Sequence, residues 1–353
     1  MASVKPVKED ASASSHAAKK PLISVIVPAK NEEKNIEACL NSLLEQNYRP
    51  FEIIVANDQS KDTTGDILAR FGGKIRVVNV PQTPEGWTGK NFAIASAVPH
   101  AKGEWLLFTD ADTRHNPESL RSSLEFASGR DLDILSLLPR CLTGSFIERM
   151  IQPAAMAFLG LWVPIEASNN SRSAVAFGNG QYLLLRKKHY EHIGGHDAVR
   201  SEFLEDFALM GLSKEARARV YCAFGTDIYG TRMYDSLESL WRGWRRIYVH
   251  AFKQNGPSLA LKTLSVIGFS ILPFIVYAIL TAQAASGLPH AGFLWGYLGI
   301  LLLFILGISA KAMTFVRVPA YYGLLHPVAA GFIAMILLNA SLNAFQKKKT
   351  AWR

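Results

Sequence analysis

Carboxylates are missing from the last third of this sequence. The chain has 353 residues, its last acidic side chain is Glu238, and basic residues continue beyond that point. The excess of 38 Lys and Arg over 29 Asp and Glu is therefore mainly a property of one region. Because a soluble domain of that size needs acidic residues on its surface, their absence predicts a membrane-embedded segment.

Cysteine is scarce, and its positions exclude several kinds of site. The three cysteines, Cys39, Cys141 and Cys222, are far apart and form no CxxC pair. This spacing argues against a disulfide framework and a cysteine-based metal site, and it indicates a reducing compartment. A GxGxxG turn is also missing, since the first apolar run is followed by PAKNEE. That absence argues against a dinucleotide-dependent membrane oxidoreductase.

The start of the chain lacks an apolar core. Residues 1–20 are rich in Ala, Ser and Lys. A secretory signal peptide needs an apolar stretch of about 7–15 residues, and none occurs there. We expect residues 1–20 to be a disordered tail.

Short apolar runs alternate with amphipathic stretches between residues 21 and 235. This alternation predicts an α/β domain with an open, mostly parallel sheet flanked by helices. The strand candidates are Ile23–Val27, Glu52–Val55, Ile75–Val80 and Trp105–Thr109. Ligands of such sheets lie beyond the carboxyl ends of the strands. The polar residues at these ends are Asn57, Asp58, Asp110 and Asp112.

Long apolar runs fill residues 259–346, and a basic tail follows at 347–353. The runs Thr263–Ala285, Gly292–Ala310 and Val318–Phe345 are each long enough to cross a bilayer as a helix. They predict a multi-pass integral membrane protein. Residues 236–258, which are basic and aromatic, form an interfacial amphipathic segment before the first run. Because basic residues favour the cytoplasmic side, the positive-inside rule places the large domain in the cytoplasm. The expected location is a bacterial inner membrane.

The basic tail conflicts with this topology. Three full crossings would place Lys347–Lys349 and Arg353 on the face opposite the large domain, against the same rule. Either the third run does not cross fully, or the apolar stretch Phe146–Pro164 also enters the membrane. We favour an interfacial helix for that stretch.

An acidic pair directly follows the apolar strand WLLFT. Asp110 and Asp112 can converge on one point if the backbone stays extended. Two ionised carboxylates repel, and a hard divalent cation relieves that repulsion. Mg²⁺ or Mn²⁺ is the expected ion, and a solvated loop is the alternative.

Three further groups have both a functional and a structural interpretation. Asp58 could accept a hydrogen bond from a nucleotide base, or could serve a turn. Glu205 and Asp206, at the start of a predicted helix, could include a general base or could cap that helix. The segment SLWRGWRRIYVHAF carries Arg242, Arg245 and Arg246, which could clamp phosphate oxygens or contact anionic lipid.

The order of these motifs resembles family 2 inverting glycosyltransferases of the GT-A fold. The match runs through ISVIVPAKNE, EIIVANDQSKDTT, FTDAD, FLED and RGWRR. Within that family the chain is most similar to membrane-associated lipid glycosyltransferases, including those of hopanoid or carotenoid biosynthesis. PEGWTGK at 84–90 is one of the closest similarities, and ceramide glucosyltransferases share the same general plan.

The resemblance implies a role for each matching residue. Asp58 would bind the uracil ring, Asp110 and Asp112 would form the DxD metal pair, and Asp206 would be the general base with Glu205 as its neighbour. Arginine replaces the final Trp of the family's (Q/R)xxRW motif, which argues against processive polymer synthesis. The remaining donor-binding residues implied are Pro28, Ala29, Asn31, Lys90, Arg242, Arg245 and Arg246.

The expected activity is metal-dependent, inverting transfer of a sugar from a UDP-sugar to a membrane lipid hydroxyl group. Two alternatives remain open: transfer to polyprenyl phosphate, and a non-catalytic membrane protein with a degenerate nucleotide-binding fold. Nucleic-acid binding is not needed to explain the basic surplus, because membrane orientation and diphosphate binding account for it.

Overall fold

The computed structural model describes residues 4–5, 20–287 and 292–345. The chain divides into two compact units. The first consists of Met1–Leu142 and Val163–Arg232, and the second of Thr143–Trp162 and Met233–Arg353.

The two predicted tails fall largely outside the described residues. The basic tail at 347–353 lies wholly outside them, and so does most of residues 1–20. Val4 departs from the expectation of a disordered tail, because its side chain is 2% exposed within the core of the first unit. Its backbone N–H donates to the carbonyl of Phe224 at 2.8 Å.

Strands and α-helices alternate along much of the chain. The strands are β1 (Ile23–Ala29), β2 (Phe51–Asn57), β3 (Arg76–Asn79), β4 (Trp105–Phe108), β5 (Thr113–His115), β6 (Ile134–Leu138), β7 (Arg140–Cys141), β8 (Leu183–Arg186), β9 (Val220–Phe224) and β10 (Tyr229–Thr231). The α-helices are α1 (Ile36–Leu44), α2 (Thr64–Arg70), α3 (Gly89–Ala97), α4 (Ser119–Ser128), α5 (Phe146–Trp162), α6 (Ile165–Asn169), α7 (Lys187–His192), α8 (Gly195–Ala198), α9 (Glu205–Glu215), α10 (Leu237–Ala251), α11 (Gly256–Ser270), α12 (Leu272–Ala285), α13 (Gly292–Phe315) and α14 (His326–Phe345).

A seven-stranded sheet forms the centre of the first unit. Its strand order is β3-β2-β1-β4-β8-β6-β9, and a smaller sheet has the order β5-β10-β7. In the large sheet β8 runs antiparallel to its neighbours β4 and β6. Strands β4 and β6 are buried along their whole length, and β1 is buried at all but one position. Continuous burial is typical of strands covered on both faces, so the expected mostly parallel α/β fold is confirmed.

Parallel pairing brings three strand ends to one edge of the sheet. β1 pairs in parallel with β2 and with β4, in a register that places Ala29 opposite Asn57 and Ile26 opposite Phe108. The residues that follow β1, β2 and β4 therefore emerge at the same edge, as predicted for ligand binding in such sheets.

Helix α9 carries acidic residues in its first turn. It begins at Glu205, and Glu205 and Asp206 both lie next to its positive dipole end. The hydroxyl and amide groups that often cap a helix are absent at this position, because Leu204 is the N-cap residue. The sequence prediction that Glu205 and Asp206 open a helix is confirmed.

In the second unit, helix α5 packs against α10. The indole Nε1 of Trp244 donates to the side-chain oxygen of Gln152 at 2.8 Å, and the hydroxyl of Tyr248 donates to the carbonyl of Ala155 at 3.0 Å. The stretch Phe146–Pro164, predicted as an interfacial helix, is thus helical from Phe146 to Trp162. Its depth in a membrane remains a prediction.

Three segments of the described residues are long and apolar enough to cross a membrane: Gly256–Ala285, Gly292–Phe315 and Ala320–Phe345. The number of candidate spans agrees with the number predicted from the sequence, but three boundaries differ, and the second segment ends at Phe315 instead of Ala310. The first segment begins earlier, at Gly256, and is divided at Ile271, whose backbone leaves the helical region just before Pro273. The last begins as a 3₁₀ turn at Ala320–Leu325 before α14.

Candidate active site

Asp58 lies immediately after β2 and is almost completely buried, with 3% exposure. Its backbone N–H donates to the carbonyl of Ala29 at the end of β1, at 2.8 Å. Its Oδ2 lies 3.0 Å from the ammonium of Lys30. A Cβ placed on Gly89 would lie 3.0 Å from the same oxygen, so the start of α3 closes over this carboxylate. Asp58 is held by the ends of two strands and one helix.

The residues after β1 form a defined loop. Pro28 and Ala29 are the last two residues of β1, and Asn31 has a left-handed backbone with φ of 56°. The N–H of Asn31 donates to Ser60 Oγ at 3.1 Å, and its side-chain oxygen accepts from the N–H of Lys61 at 2.8 Å. The loop is therefore fixed against the segment that follows Asp58.

The acidic pair after β4 lies in a turn rather than in an extended strand. The carbonyl of Asp110 accepts hydrogen bonds from the hydroxyl of Thr113 at 2.8 Å and from its N–H at 3.3 Å. Asp112 follows within the turn, and its Oδ1 is buried with no hydrogen-bond partner. A buried carboxylate oxygen without a partner is costly, and a cation is the group that satisfies it.

The pKa of Asp112 is raised from its ordinary value to about 7. Burial is the largest cause, followed by the negative charges of Asp110 and Glu32, while Lys90 and a hydrogen bond with Thr231 act in the opposite direction. Three carboxylates thus repel one another around the turn, which is the arrangement that favours a bound cation.

A buried network of hydrogen bonds holds the residues on either side of the turn. Thr109 donates to the carbonyl of Gln181 at 2.8 Å, and His115 Nε2 lies 3.1 Å from the Thr109 hydroxyl and 3.0 Å from that of Thr113. Burial, and then the charge of Arg114, lower the pKa of His115 to about 3, so its imidazole stays neutral. These residues could not be predicted from the sequence, because single Thr and His residues have no distinctive spacing.

Lys90 lies between two acidic groups. Its Nζ is 2.9 Å from Asp110 Oδ1 and 2.6 Å from Glu205 Oε1. Burial alone would lower the pKa of Lys90, but the charges of Asp110, Glu205 and Asp206 outweigh that effect and raise it. Lys90 was expected to bind the donor, near its uridine or its diphosphate. The structure shows it as the cation that joins the loop after β4 to the first turn of α9.

Asp206 is fixed from two directions. Its Oδ2 accepts from the N–H of Gly180 at 2.6 Å, and its Oδ1 accepts from the N–H of Phe207 at 2.8 Å. Burial first, and then the charge of Glu205, raise the pKa of Asp206 to about 7, although Lys90 and the two backbone donors act against the rise. A carboxylate with a pKa close to neutrality suits a general base.

Two glycines allow the backbone to approach this acidic pair. A Cβ on Gly180 would lie 2.9 Å from Glu205 Oε1 and 3.0 Å from Lys90 Nζ, and a Cβ on Gly178 would lie 2.6 Å from the carbonyl of Asp206. Neither glycine was among the residues predicted from the sequence. The signal was present, since glycine stands on each side of Asn179 in the segment FGNGQ.

The three predicted arginines lie on α10, in the second unit. Arg242 is exposed and lies 3.7 Å from Glu238. The guanidinium of Arg245 donates to the side-chain oxygen of Asn339, on α14, at 3.3 Å. Arg246 lies on the same helix, and the contact of all three with a diphosphate remains a prediction.

A metal would need ligands from outside the protein. No group of three or more His, Cys, Asp or Glu suited to hold a metal occurs in the part of the chain that the structure describes. Asp110 and Asp112 nevertheless fit a partial site, because the partnerless Oδ1 of Asp112 is a hard oxygen donor. Mg²⁺ commonly completes its shell with substrate phosphates and water.

Comparison with known proteins confirms the family resemblance. Residues 24–194 match the model of the family described as "Glycosyl transferase family 2". The matched region contains Asp58, Lys90, Asp110 and Asp112 and ends before Asp206. Residues 24–194, just under half of the chain, are therefore similar to a glycosyltransferase domain of this family.

A curated relative is the 4,4'-diaponeurosporenoate glycosyltransferase of Staphylococcus aureus (strain USA300). It is 29% identical over 229 residues, which cover 64% of this chain and 60% of the relative. The chain thus spans about 60% of the length of the curated relatives that it matches.

A solved glycosyltransferase structure shares the fold. The mannosyltransferase PcManGT from Pyrobaculum calidifontis, determined with GDP-Man and Mn²⁺, has a TM-score of 0.51 and 19% identity, and the match covers 94% of this chain and 88% of that one. S. aureus TarS 1-349, determined with UDP-GlcNAc, has a TM-score of 0.44 and 17% identity, and the match covers 94% of this chain and 93% of that one. The first match confirms the expected GT-A type of fold.

Proposed function

We propose that this protein transfers a sugar from a nucleotide-sugar donor to a membrane lipid, with inversion at the anomeric carbon. The motifs favour UDP as the nucleotide and a hydroxyl group as the acceptor. One observation carries the proposal: Asp110 and Glu205 both contact the ammonium of Lys90. The acidic pair after β4 and the acidic pair at the start of α9 therefore belong to one site.

The donor's base would lie at the ends of β1 and β2. A buried carboxylate can accept a hydrogen bond from a ring N–H of the base, and Asp58 is such a group, with 3% exposure. Pro28, Ala29 and Asn31 would form the wall beside it, since Asn31 is fixed to the segment after Asp58.

Asp110 and Asp112 would hold a divalent cation, Mg²⁺ or Mn²⁺. When bound, such an ion offsets the negative charge that develops on the leaving diphosphate. The two carboxylates supply oxygen ligands, and the Lys90 ammonium adds a fixed positive charge next to Asp110. Arg242, Arg245 and Arg246 would add further positive charge for the diphosphate.

Asp206 would act as the general base. The acceptor oxygen attacks the anomeric carbon, its proton passes to Asp206, and the bond from that carbon to the diphosphate oxygen breaks with its electron pair staying on the nucleotide. The hydrogen bonds from Gly180 and Phe207 hold both oxygens of Asp206 in place. Preorganisation of this kind is what proton transfer in an active site requires.

The second unit supplies the membrane attachment in this proposal. Its candidate spans present large apolar side chains to the outside, among them Leu261, Phe269, Phe293, Ile300 and Leu303, which are 68–90% exposed. Lys262, near the start of the first span, directs its ammonium toward Ser258 at 2.9 Å, as expected for a basic group at a membrane boundary. The catalytic unit would face the cytoplasm of a bacterial inner membrane.

One observation favours a second type of acceptor. The S. aureus relative is named for a carboxylate, 4,4'-diaponeurosporenoate. Sugar transfer to a lipid carboxylate would form an ester, and because that acceptor is already ionised it needs little base catalysis. Dependence on Asp206 would distinguish the two acceptors.

The test is a transfer assay with the full chain reconstituted in lipid nanodiscs. A panel of radiolabelled UDP-sugars and GDP-sugars is incubated with a lipid extract, and labelled lipid is identified by mass spectrometry. We expect a glycolipid from a UDP-sugar, loss of product with EDTA, and recovery with excess Mn²⁺ or Mg²⁺. A panel that yields no labelled lipid overturns the proposal, and turnover that persists in EDTA overturns its metal.

A further inference from the structure

Lys90 contacts one of the two residues proposed to hold the metal. Its Nζ lies 2.9 Å from Asp110 Oδ1, and the side chains of Lys90 and Asp110 are only 20% and 28% exposed. An ion pair shielded from water is stronger than a surface pair. A divalent cation bound to Asp110 must therefore share that carboxylate with an ammonium group.

Two carboxylates hold Lys90 in this position. Besides Asp110, Glu205 lies 2.6 Å from the ammonium and is itself buried, with 6% residue exposure. The backbone of Gly180 is also close, since a methyl group there would approach Lys90 Nζ to 3.0 Å. The ammonium therefore lies beside Asp110 and repels any cation that binds there.

A diphosphate changes this balance. Its oxygens can bind the Lys90 ammonium and the divalent cation at the same time. The negative charge of the phosphates then reduces the repulsion between these two cations. Metal and nucleotide would then bind with positive coupling, and linkage makes the coupling reciprocal.

We propose that Lys90 competes with the divalent cation for Asp110 and thereby makes tight metal binding depend on the donor diphosphate. This inference rests on the proposed function, because it takes a nucleotide diphosphate as the ligand. It assigns Lys90 a role different from simple attraction of the donor. Removing the ammonium therefore changes the two affinities in opposite directions: the metal alone binds more tightly, and the nucleotide binds more weakly.

The experiment measures Mn²⁺ binding by electron paramagnetic resonance, with and without UDP, on the full chain in nanodiscs. UDP binding in the presence of Mn²⁺ is measured by calorimetry. For Lys90→Met we expect the Kd of Mn²⁺ alone to fall by about tenfold, since a like charge close to the ion is removed. We expect the Kd of UDP to rise, so that the coupling between the two ligands shrinks.

Two further variants sharpen the comparison. Lys74→Met removes an exposed lysine elsewhere in the first unit and serves as the matched control, with an unchanged Kd for Mn²⁺. Lys90→Met alone leaves the buried carboxylate of Glu205 without its cation, which could prevent folding. The double variant Lys90→Met/Glu205→Gln avoids this problem because it removes one charge of each sign. It should still bind Mn²⁺ alone more tightly than the wild type does.

The outcomes separate this inference from the proposed function. If the wild type binds no UDP in the presence of Mn²⁺, the proposed function itself fails. If the wild type binds both ligands but the folded Lys90 variants bind Mn²⁺ alone no more tightly, competition at Asp110 is refuted while the proposed function stands. A purely structural Lys90 would weaken both ligands together.

Discussion

The N–H of Gly180 donates a 2.6 Å hydrogen bond to Oδ2 of Asp206. This bond joins the loop before β8 to the first turn of α9. The bond by itself lowers the pKa of the Asp206 carboxyl group, but burial and the charge of Glu205 outweigh it and raise that pKa to about 7. Its proton affinity is therefore matched to conditions near neutrality.

The pH dependence of transfer follows from this pKa. A general base must be deprotonated, so kcat/KM should fall about tenfold for each pH unit below about 7 and level off above it. Asp206→Asn should lower kcat by about 10²–10⁴-fold, remove this limb of the profile, and leave UDP binding nearly unchanged. Steady-state kinetics from pH 5 to 9 and calorimetry check both statements.

Glu215→Gln is the matched control, because Glu215 is an exposed carboxylate at the other end of α9. It should keep the wild-type profile. Near-normal turnover of Asp206→Asn on a hydroxyl acceptor would contradict the assignment of the base.

Gly180 and Gly178 should respond differently to alanine. The Cβ of Gly180→Ala meets the ends of two flexible side chains, Lys90 and Glu205, so the fold survives while the ion pair shifts, and activity should fall by about tenfold or more. The Cβ of Gly178→Ala meets the backbone of Asp206 at 2.6 Å, so Tm should fall. Kinetics and thermal unfolding measure the two effects.

Gly65→Ala is the control for both variants. Apart from its chain neighbours and its own helix backbone, no atom lies within 4 Å of a Cβ placed on Gly65, in α2, so the substitution should be neutral or raise stability by up to about 1 kcal/mol. Full activity of a folded Gly180→Ala would argue that the Lys90–Glu205 contact is unimportant for catalysis.

Asp58 should determine donor affinity. Asp58→Asn replaces the carboxylate with a neutral amide, which weakens the hydrogen bond that Asp58 would accept from the base, so the Kd of UDP should rise by about ten- to a hundredfold. The kcat at saturating donor should change much less, since Asp58 touches no reacting atom in the proposal. Asp66→Asn, an exposed residue on α2, is the control, and an unchanged UDP affinity for Asp58→Asn would exclude the base contact.

The side of the membrane on which the chain ends can be tested with a C-terminal tag. Three simple crossings by Gly256–Ala285, Gly292–Phe315 and Ala320–Phe345 would place the tag opposite the catalytic unit. Protease access to the tag in inverted and right-side-out vesicles measures its position, and a tag on a loop of the first unit is the control. A cytoplasmic C-terminal tag would rule out three full crossings.

The sheet and the acidic motifs could be predicted from the sequence because their signals are local. The apolar run before Asp58, the strand before Asp110 and the helix that begins at Glu205 each show within a few residues. Their convergence follows from the general rule that parallel strands end at one edge of a sheet.

Contacts between distant segments could not be predicted in this way. Nothing near Lys90 indicates that it lies between Asp110 and Glu205, because an ion pair over such a separation leaves no periodic pattern. The hydrogen bond between Arg245 and Asn339 likewise leaves no pattern in the sequence. The division of the first span at Ile271 depends on Pro273, which a count of apolar residues does not detect.

The hydrogen bond between Arg245 on α10 and Asn339 on α14 bears on how the second unit assembles during synthesis. Helix α5 and helix α10 leave the ribosome well before α14, the last helix that the structure describes. At elongation rates of about 5–20 residues per second, α10 waits on the order of ten seconds for that partner. The first unit has all of its own strands by Arg232, so it can fold while the second unit still has exposed apolar surface, which the membrane or a chaperone must cover in the interval.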